Sequence, residues 1–238
     1  MVPHFSVIIP VFCESVLINV TIEHVFAIAA GAAVEIIVVD GEPSGGTIRE
    51  IRDSAVRTAI ADKGRGNQLN RGASLAKGEI LLFLHADARL PADAFARIAV
   101  AMGNRKIIGG AFKLSIDSRR LIYRVIEKGV RYRSRYLGLP YGDQGIFIRR
   151  QYFQELGGFR NVPIMEDVDL VRRIRKQKRH ILILDDPIVV SARRWEKEGI
   201  IYCTLRNWCL LLLFSLGIPP EKLVKFYPSS RETPPSCS

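Results

Sequence analysis

The chain is short of acid. Thirty-five lysines and arginines stand against 24 aspartates and glutamates, giving a net charge of +11 over 238 residues and a pI near 9.8. That balance excludes an acidic solvating chain and favours an anionic partner: nucleic acid, an acidic membrane surface or a phosphorylated small molecule. Cysteine is scarce. Cys13, Cys203, Cys209 and Cys237 form no CxxC pair and no framework spacing, so they read as free thiols of a reducing cytoplasm. The opening MVPHFSVIIPVF has neither the charged nor the long apolar region of a secretory signal. Long apolar runs are absent as well. Cys209–Ile218 is about half of the roughly 20 residues that a spanning helix needs, and Arg206 and Asn207 interrupt the wider segment. A buried or dimer-forming helix is expected there; a helix lying in a membrane interface is the alternative. No internal repeat or low-complexity tract occurs.

What the chain does have is 48% hydrophobic and 25% charged residues, enough for a full globular core. Short apolar runs alternate with helical patterns through the first 90 residues. Strands are expected at Phe5–Ile9, Glu35–Val39, Val56–Ile60 and Ile80–Leu84. Helices are expected at Ser15–Ala30 with Ser15 as cap, from Thr47 towards Ser54, and at Asn67–Ala76. Such alternation predicts an α/β fold with a mostly parallel sheet and right-handed crossovers. Beyond Pro91 a helix is expected at Ala92–Met102 and a strand at Ile107–Ser115. A basic amphipathic helix follows, then a turn at Gly142–Gly145, a strand at Ile146–Arg149 and a short helix at Tyr152–Leu156. Two strands, Ile181–Leu184 and Ile188–Val190, flank Asp185-Asp186-Pro187.

The chemistry-bearing residues sit at strand ends. Glu14 follows the first strand, Asp40 the second and Asp87 the fourth. In a parallel sheet all three converge on the crevice where open α/β sheets bind ligands. Clustered carboxylates repel unless a cation or a donor-rich ligand joins them. Singly, each fits a strand end or a helix cap equally well.

The ordered motifs resemble a family 2 inverting glycosyltransferase of the GT-A fold. They are Ser6–Glu14 (SVIIPVFCE), Val38-Val39-Asp40-Gly41, Asn70-Arg71-Gly72 with Ala76–Glu79, His85-Ala86-Asp87 at the family's D-x-D position, Met165-Glu166-Asp167, and Ser191–Trp195 (SARRW). A narrower resemblance is to the bacterial subgroup labelled arsenosugar-biosynthesis glycosyltransferases. It rests on Gly64–Gln68, His85–Asp87, Tyr141–Gly145, Met165–Asp167 and Ala192–Trp195.

The resemblance implies a Rossmann-like GT-A domain over residues 1–198, with a nucleotide-binding half (1–90) and an acceptor-binding half (91–198). A helical extension (199–227) and a disordered tail (228–238) would follow. It implies a cytoplasmic enzyme, free or peripherally membrane-bound, that moves a sugar from a nucleotide-diphospho-sugar, a UDP-sugar first among them, to an acceptor hydroxyl. Pro10, Val11, Phe12, Glu14, Asp40, Gly41, Arg65, Gln68, Ala86 and Asp87 are the implied nucleotide contacts. Asp87, with His85 beside it, would hold Mn²⁺ or Mg²⁺; an imidazole ligand favours Mn²⁺. Lys63, Arg65 and Arg194 are candidate phosphate clamps. Asp167 is the first candidate for the base that takes the acceptor proton, and Glu166 the second. Gly142, Asp143, Gln144, Arg194 and Trp195 are assigned to the acceptor or sugar side. Gly45 stands where the family carries a second acid, with Glu42 nearby to compensate.

Two alternatives remain open at this point. One is a polyprenyl-phosphate sugar synthase at the membrane surface. The other is a basic nucleic-acid-binding domain, for which the chain carries no recognition motif or stacking platform. A dinucleotide-dependent oxidoreductase is open to any βαβ chain, but the glycine-free turn Pro10–Ser15 lacks the GxGxxG phosphate loop. A homodimer through the C-terminal helix is also compatible with the pattern.

Overall fold

The computed structural model describes residues 4–227. Eight strands form one sheet: β1 (Phe5–Val11), β2 (Val34–Asp40), β3 (Arg57–Ile60), β4 (Ile80–Phe83), β5 (Ala88–Arg89), β6 (Gly109–Asp117), β7 (Phe147–Arg149) and β8 (Leu182–Ser191). Their spatial order is β3-β2-β1-β4-β7-β6-β8-β5. β3, β2, β1 and β4 run parallel, as do β6 and β8, while β7 and the two-residue β5 run against their neighbours. The expected α/β class with a mostly parallel central sheet is what the structure has.

Both faces of the sheet are covered by helices: α1 (Ser15–Ala27), α2 (Gly46–Arg49), α3 (Arg65–Leu75), α4 (Ala94–Gly103), α5 (Leu121–Tyr136), α6 (Arg150–Glu155), α7 (Glu166–Lys176), α8 (Arg193–Glu198), α9 (Ile200–Ser215) and α10 (Pro220–Leu223). Side chains alternate along a strand, and the core divides accordingly. Val7, Ile9, Ile36 and Val38 point into one layer with α1, α4 and α5. Ile8, Ile37, Val39, Leu81 and Phe83 point into the other with α3, α6 and α7. Unbroken apolar strands are thus the mark of a sheet buried on both sides. A third, smaller cluster packs Leu210, Leu211 and Phe214 of α9 and Leu223 of α10 onto Ile164 and Val168.

Several boundaries differ from the sequence reading. The helix expected from Thr47 towards Ser54 is the single turn α2. Asn19 explains its end. Its amide donates to the Glu50 carbonyl at 2.8 Å and its Oδ1 accepts the Arg52 N–H at 3.1 Å, so a side chain takes groups that the helix would need to continue. Ser15 is the first residue of α1 rather than its cap; Glu14 holds the cap position without a side-chain cap bond. The two strands expected around Asp185-Asp186-Pro187 are one strand, β8, with a bulge. Pairing steps from Phe112–Leu184 to Lys113–Pro187, which leaves both aspartates extruded. A bulge is also where a strand tolerates proline. Cys203 and Cys209 are free thiols. Cys13, however, is disulfide-bonded, which corrects the expectation of free thiols throughout. Cys237 and the tail 228–238 lie outside the described residues.

The motif residues Asn70 and Gly72 turn out to be packing devices. Asn70 exchanges two hydrogen bonds with the Phe159 backbone, at 2.8 and 2.9 Å. Gly72 lets α3 lie directly on β1 and β2: a Cβ there would collide with Ile8 Cγ2 and come within 3.3 Å of Val39 Cγ2. Gly72→Ala is therefore expected to destabilise the fold by about 1–3 kcal/mol, read as a lower urea midpoint with an unchanged m-value.

Candidate active site

The C-terminal ends of β1 and β4 open into a cleft of about 560 Å³, within the usual range for a small-molecule site. Pro10, Val11, Phe12 and Glu14 enter from β1 and the turn after it. Lys63, Arg65 and Gln68 come from the start of α3. His85, Ala86 and Asp87 come from the end of β4. Asp143 projects from the turn at Gly142–Gln144, Glu166 and Asp167 from the first turn of α7, and Arg193, Arg194 and Trp195 from α8. Fifteen of the nineteen sequence candidates line this one space: Pro10, Val11, Phe12, Glu14, Lys63, Arg65, Gln68, His85, Ala86, Asp87, Asp143, Glu166, Asp167, Arg194 and Trp195.

The other four do not line it. Asp40 is fully buried, its Oδ1 accepting the Glu42 N–H at 2.9 Å and its Oδ2 the Thr47 N–H at 3.0 Å. It shapes the loop after β2, which Gly41 begins. Glu42 is used in the same loop, accepting the Ser44 and Gly46 N–H groups at 3.0 Å each. Gln144 is also buried. Its Oε1 accepts from Ser134 Oγ at 2.7 Å and from Arg133 and the Tyr141 N–H at 3.2 Å, and its Nε2 donates to the Phe112 carbonyl at 2.9 Å. That network holds the Gly142–Gln144 turn in place and presents Asp143. Gln68, though it reaches the cleft, spends its amide donor on the Val11 and Val39 carbonyls at 2.7 and 2.9 Å, and so ties α3 to the ends of β1 and β2.

Gly142 joins the two halves of the site. Its N–H donates to Asp167 Oδ2 at 2.6 Å, and a Cβ at this position would lie 3.3 Å from both Asp167 Oδ2 and His85 Nε2. Asp167 Oδ1 accepts the Val168 N–H at 2.7 Å. Each oxygen has one backbone donor, which fixes the carboxylate and leaves lone pairs facing the cleft. Met165 immediately before α7 has φ 65°, a left-handed conformation uncommon for a side-chain-bearing residue and frequent at functional sites.

Charge is densely mixed here. Glu166 is buried, 3.8 Å from Arg65. Burial, then repulsion from Asp167, pushes its carboxyl up to about 7 against the pull of Arg65. Asp143 is pushed up to about 6, chiefly by burial, with Arg133 opposing and Asp167 adding to the rise. Burial, with Arg65 and Arg194 nearby, holds the His85 imidazole well below its usual range, so the ring is neutral and able to accept or ligate. Glu14 meets Arg193 at 3.3 Å and is raised by burial, with Asp87 contributing repulsion.

No three His, Cys, Asp or Glu side chains among the described residues are grouped to hold a metal by themselves. The arrangement fits a cation completed by its ligand. Asp87 makes no hydrogen bond or ion pair among the described residues, and Asp143 Oδ1 is buried without a partner. One or two carboxylates plus substrate phosphates is a common way to bind a divalent cation.

Sequence reasoning missed Pro163, Ile164, Asn207, Val224 and Tyr227, and gave no role to the motif residues Tyr141 and Met165; all seven also line the cleft. Arg193 lay inside the SARRW motif and its pairing with Glu14 had no local signal. Tyr227 meets Arg194 through its hydroxyl, and the guanidinium lies 5.0 Å from the ring centre. Nothing in the polar C-terminal sequence marks that contact.

Comparison with known proteins agrees with this architecture. Residues 6–157 match the family model described as Glycosyl transferase family 2. No curated protein sequence matches the chain. Among solved structures, the chain is similar to a mannosyltransferase, PcManGT from Pyrobaculum calidifontis, in complex with GDP-Man and Mn²⁺. The TM-score is 0.66 at 18% identity, covering 96% of this chain and 68% of that one. It is also similar to glucosyl-3-phosphoglycerate synthase from Mycobacterium tuberculosis in complex with Mn²⁺, UDP and phosphoglyceric acid. There the TM-score is 0.64 at 17% identity, over 91% and 80% of the two chains. S. aureus TarS 1-349 gives 0.60 at 15% identity, over 94% and 69%.

The raised Glu166 carboxyl has a consequence for stability. Between the ordinary value of 4.5 and about 7 the folded chain holds a proton that the unfolded chain has released. Stability from this group therefore falls as pH rises through that window and is flat above it. Glu166→Gln is expected to melt higher than the parent above pH 7, the two curves converging below pH 4.5; scanning calorimetry across pH checks it.

Proposed function

The chain belongs to glycosyl transferase family 2, and from that premise we propose that it is an inverting, metal-dependent transferase. It takes a sugar from a nucleotide-diphospho-sugar, a UDP-sugar first, and passes it to an acceptor hydroxyl. The observation that carries this reading is the shared cleft. The unpaired Asp87 after β4 and the doubly hydrogen-bonded Asp167 at the start of α7 line it together.

The reaction asks three things of these residues. Phe12 and the backbone after β1 bound the nucleotide, with Lys63 and Arg65 towards its phosphates. Asp87, with neutral His85 and Asp143 beside it, would hold the cation. When bound, that cation offsets the negative charge that grows on the departing diphosphate. Asp167 accepts the proton of the acceptor hydroxyl as its oxygen bonds to the anomeric carbon and the bond to the diphosphate breaks. Attack opposite to the leaving group inverts the anomeric centre. Glu166 is better suited to positioning: it is buried and paired with Arg65, and burial makes it hold its proton more tightly than an ordinary carboxyl does. GDP-Man and UDP in the solved complexes support the nucleoside diphosphate class. The subgroup labelled arsenosugar-biosynthesis glycosyltransferases is the narrower placement that the Gly64–Gln68 and Tyr141–Gly145 motifs favour.

Titration calorimetry of UDP and GDP with and without Mn²⁺ tests the metal role. Nucleotide binding should be strengthened by Mn²⁺ in the parent and not in Asp87→Ala; binding indifferent to both would sink the proposal. Asp167→Asn should keep nucleotide affinity and lose about 10²–10⁴-fold in transfer rate. Transfer surviving in that variant moves the base elsewhere.

A further inference from the structure

Outside the cleft the most unusual feature is a broad apolar surface shared by α5 and α9. On α9, Ile201, Leu205, Trp208 and Leu212 recur at i, i+4, i+7 and i+11 and all face solvent, three of them 60% or more exposed. On α5, Ile122, Val125, Tyr132 and Tyr136 make a second exposed stripe. The stripes meet where Gly129 faces Trp208: a Cβ there would lie 3.6 Å from Trp208 Cζ2. Soluble monomers seldom expose contiguous apolar surface of this kind without using it.

Charge decides what it fits. Arg124, Lys128, Arg131 and Arg135 form a parallel stripe on α5, roughly 100° around the helix from the apolar one. Arg119 and Arg120 extend it at the N-terminal end, both exposed. Opposing acid is sparse. α9 has no Asp or Glu in its sequence. Glu127, the one acid of α5, turns inward to the Ile116 N–H at 2.6 Å and to Arg124 at 2.9 Å. Asp185 on the β8 bulge is shared between Arg131 and Arg135. A second copy docked here would set one basic stripe against another. Residues 228–238 contain no Leu, Ile, Val or aromatic side chain with which to cover the surface.

We propose that the α5–α9 face is a docking surface for an anionic lipid bilayer. Ile201, Leu205, Trp208 and Leu212 enter the headgroup boundary, and Arg124, Lys128, Arg131 and Arg135 contact lipid phosphates. An apolar stripe with a basic flank is the pattern of helices that lie in the interface plane. No helix among the described residues is long and apolar enough to cross a membrane, so the contact is peripheral. Asn207 of the same α9 lines the cleft, which sets the cleft beside the lipid headgroups. The surface and the proposed transfer reaction rest on different residues.

Flotation of the full chain with vesicles tests this. The chain should rise with phosphatidylcholine vesicles containing phosphatidylglycerol at low salt. It should stay behind with phosphatidylcholine alone and be released by high salt. Leu205→Glu with Leu212→Glu should abolish flotation while nucleotide binding persists, and Lys128→Ala should weaken it about fivefold. Failure to float, equal flotation on neutral vesicles, or flotation retained by the double variant overturns the proposal. So does a dimer in sedimentation that the same double variant dissociates, which would give the surface to a second copy.

Discussion

The 2.6 Å hydrogen bond from the Gly142 N–H to Asp167 holds the site together. It joins the turn beyond the sheet to the first turn of α7, and His85 at the end of β4 flanks the same glycine. The strand end and the helix start come from distant parts of the chain. This short charge-assisted bond sets their spacing. Gln144 supports it from behind with four hydrogen bonds, three of them buried, that hold the turn in place.

Around that contact the protein tolerates an unusual density of carboxylates. Glu14, Asp87, Asp143, Glu166 and Asp167 share one cleft with Lys63, Arg65, Arg193 and Arg194. Glu166, Asp143 and Glu14 all bind protons more tightly than ordinary carboxyls do, chiefly because they are buried, with repulsion from neighbouring carboxylates adding to the rise and the arginines opposing it. A cationic or donor-rich ligand would offset both effects, which is one physical reason for a site to be built this way.

The sheet was largely legible because burial on both faces leaves uninterrupted apolar strands such as Val34–Val39 and Ile80–Leu84. Carboxylates just beyond parallel strands pointed to the edge of the sheet at which the cleft opens. Which acids face the cleft was not legible. Asp40 and Asp87 look alike in sequence, each after an apolar run, yet Asp40 ends β2 and is consumed by the Glu42 and Thr47 backbone groups while Asp87 lies in the turn beyond β4 and is open. Local sequence carries no sign of that difference, because it depends on how the following loop closes. The same holds for α2, cut short by Asn19 from another helix, and for Tyr227, brought to Arg194 by packing of the C-terminal helices. Conversely, Asn70 and Gly72 stood out as motif residues and proved to serve packing.

The Asn70–Phe159 pair bears on how the cleft can change shape. Its two hydrogen bonds, with the close approach of Gly66 to the Arg160 carbonyl, fasten the helix of the nucleotide side to the loop that leads into α7. Those two walls have to travel as one body. In the proposed reaction, any widening that admits a donor or lets a spent nucleotide leave would fall to the opposite wall of α8, Asn207 and Tyr227, whose tie to the turn after β1 is the Glu14–Arg193 pair. The pace of turnover would then be set by the side that holds none of the reacting carboxylates.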